Sequence, residues 1–120
     1  MSNEKIWLFD TTLRDGGQTR GVDFSRADKI AIANALDDIG MDYNEVGLPG
    51  ANPTDYAFFG EPPRFKNAKL VSFGITRRGG RNAANEPRLN AVIDADFDAA
   101  CLFGKTWDFH VRTANNSKLT

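Results

Sequence analysis

The 120-residue chain has one cysteine and one histidine, and its 15 basic residues nearly balance 16 acidic ones. Each shortage excludes something. One thiol, Cys101, forms no internal disulfide and builds no cysteine-rich zinc site, so a reducing, cytoplasmic setting is expected. One histidine, His110, rules out a two-histidine metal site within these residues, and it is expected to be packed or hydrogen-bonded. A formal net charge of −1 lacks the basic excess that nucleic-acid binding needs. No apolar run approaches the roughly 18 residues that cross a bilayer, and the opening Met1-Ser2-Asn3-Glu4-Lys5 is too polar for a signal peptide. Low-complexity linkers, repeats and heptads are missing too. Gly16, Gly17 and Gly21 lack the lysine and hydroxyl of a Walker loop, and no G-x-G-x-x-G follows a strand. A composition of 41% hydrophobic and 26% charged residues remains, enough for one modest core and one soluble domain.

The pattern inside that domain alternates. Ile6-Trp7-Leu8-Phe9 is a continuous apolar run, as expected of a strand buried on both faces of a helix-covered parallel sheet. A glycine-rich turn from Thr11 to Gly21 follows. Ser25 with Asp28 three residues on then reads as a helix start, Ile32, Leu36 and Ile39 as one apolar face, and Gly40 as the stop. The order repeats: a strand at Tyr43–Gly47, then a helix capped at Asn52-Pro53 with Tyr56, Phe58 and Phe59 as its apolar surface. A third strand at Leu70–Phe73 precedes a helix after Pro87, marked by Leu89, Val92 and Ile93. A fourth strand, Ala99–Phe103, carries Cys101 as a small core residue. Beyond it, the segment through Asn115-Asn116-Ser117-Lys118 shows no apolar periodicity, and no covering helix is expected. The fold class is α/β, from β/α units around a parallel sheet.

Parallel α/β folds place their chemistry just past the carbonyl ends of the strands. Asp10, Thr11, Thr12, Arg14, Asp15 and Gln18 gather there after the first strand, and Glu45, Gly47 and Pro49 at the end of the second. The Arg14-Asp15 pair has two readings. In one, the carboxylate holds a divalent cation while the guanidinium stabilises charge developing on a substrate oxygen. In the other it is a surface ion pair beside a glycine turn. Arg77, Arg78 and Arg81 likewise read as an anion site for a nucleotide-like cofactor or as a solvated loop.

Taken together, Phe9-Asp10-Thr11-Thr12-Leu13-Arg14-Asp15-Gly16-Gly17-Gln18, with Gly21 and Phe24 after it, resembles the opening signature of the DRE-TIM metallolyase family. Asn44-Glu45-Val46-Gly47-Leu48-Pro49-Gly50 resembles its second strand. Asn52-Pro53-Thr54-Asp55, Phe73-Gly74-Ile75-Thr76-Arg77-Arg78 and the segment Phe103–Val111 look most like the citramalate synthase branch. The resemblance implies a TIM (β/α)8 barrel of which this chain supplies the first four strands and about three helices. Residues 1–120 are then the amino-terminal half of a pyruvate carboxyltransferase-type (HMGL-like) catalytic domain.

By the same resemblance Asp15 ligates a divalent metal (Mg²⁺, Mn²⁺ or Zn²⁺), and Arg14 sits over the keto oxygen. Glu45 orients the site, and Gln18 lies near the keto acid. The implied reaction condenses acetyl-CoA with an α-keto acid, pyruvate in the citramalate branch, in branched-chain amino-acid biosynthesis. The family's histidine pair and later strands are missing from these 120 residues, so the chain alone is expected to be inactive. Related readings are an isopropylmalate or homocitrate synthase or an HMG-CoA lyase-like enzyme. A reading of another class is a non-catalytic half-barrel that pairs with another chain or a second copy to cover its open sheet edges.

Overall fold

The computed structural model describes residues 3–114; Met1-Ser2 and the polar stretch Asn115–Lys118 lie outside the described residues. The elements run β1 (Phe9–Asp10), α1 (Arg26–Asp38), β2 (Tyr43–Gly47), α2 (Pro53–Gly60), β3 (Lys69–Ile75), α3 (Pro87–Asp94), β4 (Ala99–Phe103) and α4 (Asp108–Ala114). The four strands form one parallel sheet in chain order, β1-β2-β3-β4. Consecutive parallel strands joined by helices are the repeating unit of a (β/α)8 barrel. Among the described residues the sheet stays open, since β1 and β4 each pair with one neighbour.

Local chemistry accounts for the boundaries. The Ser25 hydroxyl accepts from the Asp28 N–H, and the Asp28 carboxylate accepts from the Ser25 N–H at 2.9 Å, which closes a capping box on α1. Gly40 follows α1 at φ +85°, a conformation that costs glycine little. Asn52 caps α2 through the Asp55 N–H, with Pro53 in the first turn. Glu86, not anticipated as a cap, accepts from the Arg88 N–H at the start of α3.

Register assigns the two faces of the sheet. Phe9 pairs with Tyr43, Glu45 with Val71, Phe73 with Cys101 and Ile75 with Phe103, so these residues share one face. The opposite face carries Val46 and Leu70, which join Leu13, Ala33 and Phe58 in the core beneath the helices. Gly74 is on that side, where a Cβ would come within 2.7 Å of Val92 on α3. Asn44 and Ser72 are also buried there, with no hydrogen-bond partner among the described residues for the Asn44 amide or the Ser72 hydroxyl. Such groups each cost about 1–3 kcal/mol. Asp37 is the opposite case. Burial works to raise its pKa, but the backbone N–H groups of Ala68, Lys66 and Asn67 bond its carboxylate and hold it below the ordinary value. That carboxylate ties the end of α1 to the approach to β3.

Several expectations need correction. Strand β1 is two residues long, and Ile6, Trp7, Leu8 and Phe9 are exposed rather than buried on both faces, Ile6 by 81%. The reason is position: β1 is an edge strand that pairs with β2 alone. Ile39, Tyr56 and Ile93 also face outward, each more than 70% exposed. In α1 the buried stripe is Lys29, Ala33 and Asp37, at spacings of four, so two charged residues hold positions that hydropathy assigns to the surface. Cys101 is half-buried on the open face, not in the core. Contrary to expectation, a helix does follow β4: α4, with Trp107 and Phe109 exposed at its start. His110 on that helix is exposed and meets the Trp107 ring at 4.6 Å, edge to face.

Candidate active site

The loop after β1 is built by its own polar groups. Asp10 accepts from the Thr12 N–H at 2.8 Å and from the Thr12 hydroxyl at 3.0 Å, which turns the chain as the strand ends. The N–H groups of Asp15 and Gly16 then donate to the Thr11 carbonyl, and that of Gly17 to the Thr12 carbonyl. This helical turn sinks Leu13 into the core and carries Arg14 to the open face of the sheet.

Two strands receive Arg14 there. Its Nε donates to Glu45 Oε2 of β2 at 2.6 Å, and its guanidinium lies 4.1 Å over the Phe73 ring of β3. Glu45 is almost fully buried, so this charge-assisted bond works at low dielectric. Engaging Nε turns the Nη edge of the cation away from Glu45. Asp15 approaches Nη1 at 3.4 Å, with its side chain 63% exposed. Beside Glu45, burial foremost and then the neighbouring carboxylate push the Cys101 thiol up, so it is not primed as a nucleophile.

Four site residues were expected: Arg14, Asp15, Gln18 and Glu45. Arg14 and Glu45 meet directly, and Asp15 adjoins Arg14. Gln18 stands apart from that pair but lines the same cavity of about 390 Å³, which Arg14, Phe73, Asn52 and Asp55 also border. Phe73 escaped the sequence reading; its signal was an aromatic on the same face as Glu45, one strand over. Lys29 and Asp55 were missed as well. Their buried ion pair borders the cavity, and Lys29 Nζ also donates to the Val46 carbonyl at 3.0 Å.

Metal ligation is a matter of donor count. Among the described residues no three His, Cys, Asp or Glu side chains converge to hold an ion, and Asp15 offers one exposed carboxylate. Mg²⁺ or Mn²⁺ held by one carboxylate keeps most of its water. These residues therefore fit one corner of a metal site, not a whole one.

The arginine loop after β3 is largely committed to structure. Arg78 forms a two-pronged bond to Glu86 at 3.1 and 3.2 Å, and Arg77 donates to the Arg81 carbonyl at 2.9 Å. The Arg78 side chain outweighs burial and lowers the Glu86 pKa from 4.5 to about 2. The stability this carboxylate contributes is full above pH 4.5 and is lost as pH falls through about 2. Glu86→Gln is accordingly expected to weaken urea resistance at pH 6 and to lose its difference from the parent chain near pH 2. Equal midpoints at pH 6 would contradict the role given to this pair.

A parallel β/α sheet with an arginine–glutamate pair and a cavity bordered by that arginine is the arrangement of one part of a β/α barrel. The HMGL-like family model matches residues 5–118, and the chain belongs to the HMGL-like family. It is 48% identical over 118 residues to a (R)-citramalate synthase of Aquifex aeolicus, covering 97% of this chain and 22% of that protein. Identity is also 48%, over 111 residues, with a (R)-citramalate synthase of Geobacter sulfurreducens, covering 91% of this chain and 21% of the relative. A probable 2-isopropylmalate synthase of Methanopyrus kandleri is 34% identical over 113 residues, 91% of this chain and 20% of that protein. The chain thus spans about a fifth of the length of the relatives it matches. Its open sheet is the first half of an HMGL-like barrel, and no helix among the described residues is long and apolar enough to cross a membrane.

Proposed function

We propose that this chain supplies the arginine wall of a citramalate-type synthase, which joins the acetyl group of acetyl-CoA to pyruvate. One observation carries the reading: Arg14, anchored through Nε by buried Glu45 and backed by Phe73, presents its Nη edge at the carbonyl ends of the strands, with Nη1 beside the exposed Asp15 carboxylate. In the condensation, the acetyl methyl gives up a proton to a base outside these residues, and its carbon attacks the ketone carbon. The ketone oxygen gathers negative charge, and hydrolysis of the thioester releases CoA. A fixed cation at the developing alkoxide lowers that barrier, because it needs no reorganisation as the charge forms. Glu45 keeps Arg14 from swinging into solvent, and Gln18 offers an amide to the keto acid from the cavity wall.

A divalent metal supplies further polarisation of the keto acid in this reading, with Asp15 as the one ligand from these residues. Pyruvate is favoured over a branched keto acid because identity to relatives named citramalate synthase reaches 48%, against 34% for those named isopropylmalate synthase.

The test is a graft in which residues 5–118 replace the matching segment of the Aquifex aeolicus relative. The chimera is expected to release CoA thiol from acetyl-CoA in a pyruvate-dependent manner. Folded chimera that turns over only a branched keto acid, or none, would refute the reading.

A further inference from the structure

The buried charges of α1 and α2 remain without a role in the chemistry above. Lys29 and Asp55 form an ion pair in which both side chains are more than nine-tenths buried. Lys29 Nζ makes a second bond, to the Val46 carbonyl of β2 at 3.0 Å. Asp55 is held in turn by the Asn52 amide at 3.1 Å, and it lies so close to Gly47 that a Cβ there would meet its carboxylate at 2.6 Å.

Val46 is where β2 departs from regular pairing. Glu45 is opposite Val71 and Gly47 is opposite Ser72, so Val46 is the extra residue of a bulge. A bulge bends its strand and re-aims the adjacent side chain. Here that side chain is Glu45, the anchor of Arg14. The glycine at 47 admits the Asp55 carboxylate against the backbone, and the carboxylate brings the Lys29 ammonium to the bulged carbonyl. A neutral residue at 29 would leave both Asp55 and Val46 without this donor.

We propose that Lys29, supported by Asp55, is a positioning residue that sets the bulge at Val46 and thereby aims Glu45 at Arg14. The inference rests on the reading of Arg14 as the substrate-facing group, but its test does not depend on turnover. The readout is solvent exchange of the Arg14 Nε–H proton, followed by NMR in the 120-residue chain. The double variant Lys29→Met/Asp55→Leu replaces the pair by apolar side chains of similar shape, a change that proteins often accept without loss of stability.

Exchange of the Arg14 proton is expected to speed up by at least about tenfold in the double variant. The Arg78 Nε–H, bonded to Glu86 on another loop, keeps its rate and serves as the internal reference. Lys29→Arg, which retains a cation and a donor, is expected to preserve the slow exchange. Unchanged Arg14 exchange in the folded double variant overturns the proposal. So does a double variant that fails to fold, since the pair would then support the fold as a whole, and so does Lys29→Arg exchanging as fast as the double variant.

Discussion

Lys29→Met on its own is expected to destabilise the chain by about 3–5 kcal/mol, the usual cost of leaving one member of a buried ion pair without its partner. The effect is large for a domain whose whole margin is about 5–15 kcal/mol. Asp55 would keep its bond from the Asn52 amide, but its side chain is more than nine-tenths buried, so water would replace the ammonium only in part. The Val46 carbonyl would lose its donor in the same step. Chemical denaturation of the single variant beside the Lys29→Met/Asp55→Leu double variant measures this. The single change is expected to be the worse of the two. A single variant as stable as the parent chain would mean that the pair is solvated, against its burial here.

The second large effect concerns catalysis. Arg14→Ala in the Aquifex chimera is expected to lower kcat by about 10²–10³, the range seen when one preorganised donor to a developing oxyanion is removed. Arg14→Lys is not expected to restore the rate. An ammonium has no planar edge that can give one N–H to Glu45 while offering others to substrate, nor does it stack on Phe73 in the same way. Steady-state kinetics with pyruvate and acetyl-CoA checks both variants. A drop in substrate affinity with kcat unchanged would make Arg14 a binding residue only.

The order of the fold was readable because its signals are local. Ser25 with Asp28, Asn52 with Pro53, and the strands at Tyr43–Gly47 and Ala99–Phe103 each act within a few residues, and the structure bears them out. What escaped depends on neighbours remote in sequence. Ile6–Phe9 has the composition of a buried strand, yet exposure follows from what packs on it, and β1 lies at the sheet edge. Ile39 fits the helical period but is the exposed C-cap of α1, while Lys29 and Asp37 occupy the buried stripe. They are accepted there because Asp55 and the backbone of residues 66–68 satisfy their charges.

The site divides along the same line. Arg14, Asp15 and Glu45 stood out through the resemblance, and the structure brings Arg14 together with both carboxylates. Phe73 did not stand out, since its place under the guanidinium arises from pairing between β2 and β3 and from nothing in its own segment. Arg77 and Arg78 looked free in sequence because the carbonyl and the Glu86 carboxylate that engage them come several residues later.

The sequential order of the sheet also bears on how the chain comes to fold. Each strand finds its partner roughly 30 residues further along, so the closure entropy is similar at every step and no strand waits for a distant one. The Asp37 carboxylate, gathering the N–H groups that lead into β3, closes one such step from the helix before it. Assembly can then proceed from the amino terminus one unit at a time, the direction in which a ribosome delivers the chain.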